Sequence, residues 1–317
     1  MQEIMFSVAV ITYNQERYIS QTLDSILNQQ HDYKYEIVIG EDCSTDNTKK
    51  IIEEYVEKYP EIIKPLYNNP NKGLIKNYFN VINHCQGKYI MECAGDDYWL
   101  PGKVAKQIEF MENNPTVGMC YGRAKYFDIY AKKYLKQTFG KKNETFMTMI
   151  QDNTVPALTV CIRTTVLNQY MQDIDPIKMN WLMEDYPTWI WISRNSKIRF
   201  LNYIFGVYRI GQDSISLGKS IEKKIEFNKN YHNIKTYFAK LYSVKVPNWD
   251  ENISKFYILY EELENYYSKE IKRKLHNTYK SISNKNFKTK LFYYSSRTKG
   301  TFLIMSLLKK LRNTIKV

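Results

Sequence analysis

Phe6-Ser-Val-Ala-Val-Ile-Thr-Tyr-Asn14 is the stretch whose reading decides the architecture. Its first six residues are short, β-branched and free of helical polar spacing, so they read as a buried strand. The run stops at the polar Thr12-Tyr13-Asn14. Outward from it, Tyr18, Ile19, Thr22, Leu23, Ile26 and Leu27 recur at intervals of three and four, the stripe of an amphipathic helix. Glu36-Ile-Val-Ile39 reads as a second strand. Ser44, Thr45 and Asp46 then supply N-cap chemistry before a helix striped by Ile51, Ile52, Tyr55, Val56 and Tyr59. Ile62–Tyr67 predicts a third strand, Leu74, Tyr78, Val81, Ile82 and Cys85 a third helix, and Tyr89-Ile-Met91 begins a fourth strand. This alternation, with crossovers long enough for helices, predicts an α/β fold with a mainly parallel sheet covered on both faces.

Beyond Val117 the pattern is mixed. Strand-like runs at Val117–Tyr121, Val160–Ile162, Ile198–Leu201 and Val207–Ile210 alternate with helical pieces, notably Asp185–Ser193. From Lys219 the chain is rich in Lys, Asn and Tyr at helical spacing, as in Phe256, Leu259, Tyr260 and Leu263. A boundary near Leu217 divides residues 1–217 from a basic helical region, residues 218–317, expected to pack on the core.

The chain has 317 residues, 44% apolar and 25% charged, enough to bury a core. No stretch approaches the roughly 18–20 apolar residues of a membrane span, and the N-terminus lacks the basic region of a signal peptide. Five cysteines without a CxxC pair argue against a disulfide framework or structural zinc, and a reducing cytoplasm fits them. The net charge of +13 is not spread evenly: residues 268–317 hold 14 Lys and Arg against the single acid Glu270, so the rest is neutral. That asymmetry points to an anionic surface touched by the C-terminal segment alone.

In an open parallel sheet, ligands bind beyond the carboxyl ends of the strands. Those ends carry Thr12-Tyr13-Asn14, Glu41-Asp42, Asn71-Lys72-Gly73 and Gly95-Asp96-Asp97, a polar and acidic rim. The first turn has no glycine, and no GxxxxGK[ST] occurs, which disfavours a dinucleotide or P-loop ATP site. Asp96 and Asp97 are carboxylates of the kind that hold Mg²⁺ or Mn²⁺ together with substrate phosphates, and Gly95 allows close backbone approach.

Val8–Asn14, Gly40-Glu-Asp-Cys-Ser-Thr-Asp-Asn-Thr48, Asn71-Lys-Gly73, Gly87-Lys-Tyr-Ile90 and Gly95-Asp-Asp-Tyr-Trp99 occur in the order and spacing of family 2 glycosyltransferases, which the chain resembles over residues 6–216. The resemblance implies an inverting, metal-dependent enzyme of Rossmann-like GT-A fold, using Mn²⁺ or Mg²⁺ and a UDP-sugar. It implies nucleotide contacts at Thr12, Tyr13 and Asn14, a base contact at Asp42, and Lys76 where an arginine near the uracil is common. Asp96 and Asp97 match the latter part of the DxD motif. Ala94 stands in place of its first acid, and either aspartate is left as the main metal ligand. Glu184-Asp185 resembles the Glu-Asp motif, with Asp185 as catalytic base and Glu184 its partner. A helix N-terminus would favour the same acids. Arg209, in Tyr208-Arg-Ile-Gly-Gln-Asp-Ser214, matches a diphosphate-binding arginine, with Gly211 where a histidine is common. Trp99 and Trp181 are expected walls of an acceptor site.

The expected reaction moves a hexose or N-acetylhexosamine to a hydroxyl of a surface-glycan acceptor such as a capsule or O-antigen, including one carried on a polyprenyl diphosphate. A nucleotidyltransferase would want a Gly/Arg/Lys-rich phosphate loop near the N-terminus. A nucleic-acid-binding module would want a groove-reading motif; the tail offers charge without one, so no nucleic acid is expected. Phe302, Leu303, Ile304, Leu307, Leu308, Leu311 and Ile315 fall near one helical face beside Lys309, Lys310, Arg312 and Lys316. This predicts peripheral contact of residues 299–317 with an anionic membrane, on the inner face of the cell.

Overall fold

The computed structural model describes residues 3–211, 220–246, 250–265, 268–283, 285–298 and 300–304. The chain divides into two units, Met1–Gly211 with Phe238–Tyr242, and Gln212–Tyr237 with Ser243–Val317. The expected boundary residue, Leu217, lies outside the described residues.

In the first unit, strands β1 (Phe6–Thr12), β2 (Tyr35–Glu41), β3 (Ile63–Tyr67) and β4 (Tyr89–Ala94) alternate with helices α1 (Ile19–Leu27), α2 (Thr48–Lys58) and α3 (Leu74–His84). They pair in parallel in the order β3-β2-β1-β4, as the βαβ alternation requires. β1 shows why: Phe6, Val8 and Val10 on one face and Ser7 and Ala9 on the other are all buried, so both faces of the strand are covered. The two-residue β5 (Tyr98–Trp99), α4 (Lys103–Asn113), β6 (Val117–Asp128), β7 (Lys133–Phe139), α5 (Phe146–Met149), β8 (Cys161–Arg163), α6 (Thr164–Ile174), α7 (Asp185–Asn195) and β9 (Lys197–Ile210) follow.

Past β4 the pairing changes. β8 joins β4 and β6 antiparallel, β9 runs parallel to β6, and β5 and β7 attach antiparallel to β9 and β6. The two runs expected at Ile198–Leu201 and Val207–Ile210 are one strand, β9. Its pairing to β6, through register shifts near Arg123, carries the intervening Asn202–Gly206 across in extended form. The N-cap of α2 is Asn47, whose side chain makes no cap bond; of the expected Ser44-Thr45-Asp46, Asp46 Oδ1 accepts the Thr48 N–H at 2.9 Å one residue before it.

The second unit contains α8 (Ile221–Leu241), α9 (Glu251–Asn265), α10 (Lys269–Ser281) and α11 (Phe287–Ser295); residues 238–242, at the end of α8, cluster with the first unit. Its core joins Phe256, Leu259, Tyr260, Leu263, Leu275, Ile282 and Phe302. Phe302, expected on a membrane-facing stripe, is therefore spent on internal packing, while Leu303 and Ile304 are exposed. Leu307, Leu308, Lys309, Lys310, Leu311, Arg312, Ile315 and Lys316 lie outside the described residues. Among the described residues, no helix is long and apolar enough to cross a membrane.

Candidate active site

Strand register builds the site. Thr12 stands opposite Glu41 and Ile11 opposite Ala94, so the ends of β1, β2 and β4 come out side by side at one edge. The Asp42 N–H donates to the Thr12 carbonyl at 3.1 Å, and the Gly95 N–H to the Ile11 carbonyl at 2.9 Å. The first two loops are stitched together: Asn14 N–H donates to Ser44 Oγ (3.0 Å), and Thr45 N–H to Asn14 Oδ1 (2.7 Å). Asn14 adopts φ 54°, a left-handed conformation that asparagine tolerates. Tyr13 beside it is exposed.

Asp42 is buried, and its carboxylate is heavily used. Oδ1 accepts the Asn68 amide (2.9 Å) and the Lys72 N–H (2.8 Å), while Oδ2 accepts the Gly73 N–H (2.9 Å). It thereby shapes the loop from which α3 starts. Lys76 is exposed in the first turn of that helix.

Gly95 is a position where a side chain cannot fit. An added Cβ would lie 2.4 Å from Gln15 Oε1 and 2.7 Å from Thr12 Oγ1. Those two oxygens are buried with no partner among the described residues, and the Gln15 side chain also hydrogen-bonds Asp96. Asp97 is buried at 3% exposure. Burial pushes both aspartates above the ordinary carboxylate range. Asp97 is raised further by the charge of Asp96, and Arg209 pulls both back. The two neighbouring carboxylates and the orphaned oxygens form a hard-oxygen donor set. Such oxygens are the kind Mg²⁺ or Mn²⁺ takes, but among the described residues no group of three or more His, Cys, Asp or Glu gathers to hold a metal, so substrate phosphates would have to complete the shell.

Arg209 reaches this edge because β5 pairs with β9, Tyr98 opposite Val207. Its main-chain N–H donates to Asp97 Oδ1 at 2.9 Å. Its guanidinium donates to the Asp96 carbonyl and to Gln21 Oε1, and lies 5.0 and 4.7 Å from the Tyr18 and Tyr98 rings. Gln21 had no motif to announce it, and the pairing of β5 with β9 is what brings Arg209 to Tyr98.

Asp185 is the first residue of α7, and Glu184 precedes it. Asn153 donates to Asp185 Oδ2 at 2.9 Å, and the Tyr186 N–H to Oδ1 at 2.6 Å. Burial raises Asp185, and these two donors counter it; burial and the charge of Asp185 push Glu184 up to about 8. The charge of Asp185 also helps raise Glu92 of β4, the strand that leads into Gly95-Asp96-Asp97. Glu92 itself accepts the Tyr78 hydroxyl at 2.6 Å and is pushed by burial up to about 8. Asn153 sits in an irregular loop, where no sequence periodicity could single it out.

The two tryptophans differ from expectation. Trp99 is 2% exposed, donates to the Glu92 carbonyl at 3.2 Å, and packs under the buried Lys103 ammonium, 4.3 Å from its ring. Trp181 is buried, 5.8 Å from Phe238. Both are buried and pack in the core, where a large indole gains most from being removed from water.

The chain belongs to glycosyl transferase family 2, whose model matches residues 7–172, and its fold is GT-A. Among curated relatives, an uncharacterised protein of Mycobacterium tuberculosis is 37% identical over 116 residues, 36% of this chain; the match spans only 34% of that protein's length. The UDP-Glc:α-D-GlcNAc-diphosphoundecaprenol β-1,3-glucosyltransferase WfgD of Escherichia coli is 27% identical over 231 residues, 72% of this chain and 86% of its own. Among solved structures, S. aureus TarS, crystallised with UDP-GlcNAc, superposes with a TM-score of 0.59 at 19% identity over 86% of this chain and 79% of that one.

Proposed function

We propose that the chain is an inverting, metal-dependent glycosyltransferase. It moves a hexose or N-acetylhexosamine from a UDP-sugar to a hydroxyl of a surface-glycan acceptor, such as a capsule or O-antigen unit on a polyprenyl diphosphate. The observation that carries the reading is the convergence of Thr12, Asp42, Asp96, Asp97 and Arg209 at one sheet edge. The similarity to WfgD, whose name gives a UDP-sugar donor and a diphosphoundecaprenol acceptor, supports the choice of substrates.

In this reading Asp42, Thr12, Tyr13, Asn14 and Lys76 receive the nucleoside, and Arg209 favours the diphosphate. Asp96 and Asp97 hold Mn²⁺ or Mg²⁺, which when bound offsets the charge of the departing diphosphate. Asp185 takes the proton from the acceptor hydroxyl as that oxygen attacks the anomeric carbon. The bond from that carbon to the diphosphate oxygen breaks, and UDP leaves from the opposite face. Asn153 and the Tyr186 N–H orient the base, while a protonated Glu184 spares it a second adjacent charge. The enzyme works in the cytoplasm, with residues 299–317 contacting the inner face of an anionic membrane. A screen for UDP release across UDP- and GDP-sugars, with and without Mn²⁺, tests this. Release from one UDP-sugar, dependent on acceptor and metal, is expected; turnover of GDP-sugars alone would overturn the donor assignment.

A further inference from the structure

The second unit carries a cluster of positive charge that the transfer chemistry does not use. Lys269, Lys272, Arg273 and His276 stand at i, i+3, i+4 and i+7 of α10, one face of the helix. Arg297, just past α11, completes an open cleft of about 360 Å³ lined by these five residues. Leu275 and Tyr279 of the same helix are committed to the unit's core. Two members are fixed by packing: Lys272 Nζ donates to the Arg297 carbonyl at 2.5 Å, and His276 is hydrogen-bonded to the Tyr293 hydroxyl at 2.5 Å. The acid of this helix, Glu270, pairs with Lys274 at 3.0 Å on the flank, so no carboxylate lines the cleft.

The surroundings are apolar. Phe287, Leu291 and Tyr294 recur at i, i+4 and i+7 on α11, and all are exposed, Phe287 at 81%. Tyr294 packs edge-on against Tyr293, whose hydroxyl meets His276, so the stripe runs up to the cleft wall. Exposed Lys288 and Lys290 flank it. A soluble phosphate needs only the cations. A row of exposed rings and a leucine beside them needs a partner that offers an anion and hydrocarbon together, as the surface of an anionic bilayer does.

We propose that this cleft is a phospholipid-headgroup site. Lys269, Arg273 and Arg297 take the headgroup phosphate, and Phe287, Leu291 and Tyr294 enter the interface beside it. Arg273 and Arg297 supply forked donors suited to phosphate oxygens. The cleft volume suits a small-molecule-sized group.

The test is co-sedimentation of the full chain with vesicles of phosphatidylcholine alone or mixed with phosphatidylglycerol. Binding is expected only to the mixed vesicles and should weaken as salt rises. The triple variant Lys269→Gln, Arg273→Gln, Arg297→Gln leaves Lys272 and His276 to hold the fold. With circular dichroism unchanged, it should lose roughly a hundredfold in partitioning, since each basic residue at such a surface is worth about 1 kcal/mol. The double variant Phe287→Ser, Leu291→Ser should also weaken binding, because it removes only exposed apolar surface. A control triple, Lys34→Gln, Lys58→Gln, Lys133→Gln, removes equal charge elsewhere and should bind as wild type. Equal binding of the cleft variant and wild type would overturn the proposal, as would equal loss in the control triple, binding to phosphatidylcholine alone, or saturable binding of inorganic diphosphate with none to vesicles. None of these readouts involves sugar transfer, so they stand or fall apart from the proposed reaction.

Discussion

The main-chain N–H of Arg209 donates to Asp97 Oδ1 at 2.9 Å, across 112 residues of sequence. The last strand of the sheet thus ends on the carboxylate proposed to hold the metal, and the guanidinium of the same residue grips the Asp96 carbonyl. Asp97 is oriented by backbone, so its geometry survives changes in the side chain at position 209, while the charge balance does not.

Asp97→Asn and Asp96→Asn should each fold, since amides replace carboxyls already raised by burial. Both should lose most of their turnover, and EDTA should abolish wild-type activity until Mn²⁺ or Mg²⁺ is restored. Full UDP release in chelator would refute a metal at this edge.

Gly95→Ala tests the close approach itself. The new methyl would sit 2.4 Å from Gln15 Oε1 and 2.8 Å from Thr12 Cβ, and the threonine, fixed on β1, cannot swing away. The expected outcome is a stability loss of about 1–3 kcal/mol by urea denaturation, the usual cost of overpacking. A severe loss of kcat should accompany it.

Asp185→Asn should keep donor affinity and lower kcat by about 10²–10⁴-fold, the worth of a general base. Asn153→Ala should give a milder defect, because it frees the base without removing it. Near-normal kcat in Asp185→Asn would move the role to Glu184.

Glu92→Gln makes a pH prediction. The folded carboxyl is pushed up to about 8 from an ordinary value of 4.5, chiefly by burial. Below pH 4.5 both states hold the proton, so wild type and variant should be affected alike. Between 4.5 and 8 the unfolded chain gives up a proton that the folded one keeps, so wild-type stability falls as pH rises. The variant, whose side-chain oxygen can still accept from Tyr78, escapes this and should be more stable above pH 8 by about 2–5 kcal/mol. Denaturation curves at pH 4.5 and 8.5 decide it; a constant difference would refute the assignment.

Much of the strand-end edge that forms the candidate site is legible in the sequence because it depends on contiguous signals. The buried run Phe6–Ile11, the helical stripe from Tyr18 and the short motifs at Asp42 and Gly95-Asp96-Asp97 each declare themselves within a dozen residues. β5 does not, because two residues have no periodicity and their partners are Val207 and Gly206. Continuity of β9 was hidden by Asn202 and Gly206, which weaken a strand pattern until β6 supplies its ladder. The donors to Asp42 are mostly main-chain N–H groups of loop residues Lys72 and Gly73, which carry no side-chain signature. Trp99 and Phe302 misled for the opposite reason: an aromatic residue looks the same in sequence whether it faces a ligand or a core.

The change of strand direction beyond β4 also bears on when, during its own synthesis, the protein can become active. Residues 6–94 contain β1 to β4 with their parallel neighbours, so that half of the sheet can form as soon as it leaves the ribosome. β5 must wait for β9, and Asp97 for Arg209. At roughly 5–20 residues per second the delay is on the order of ten seconds. Until then the nascent chain displays a candidate site edge whose two aspartates have no clamp, and a polypeptide interrupted before residue 209 is left without one for good.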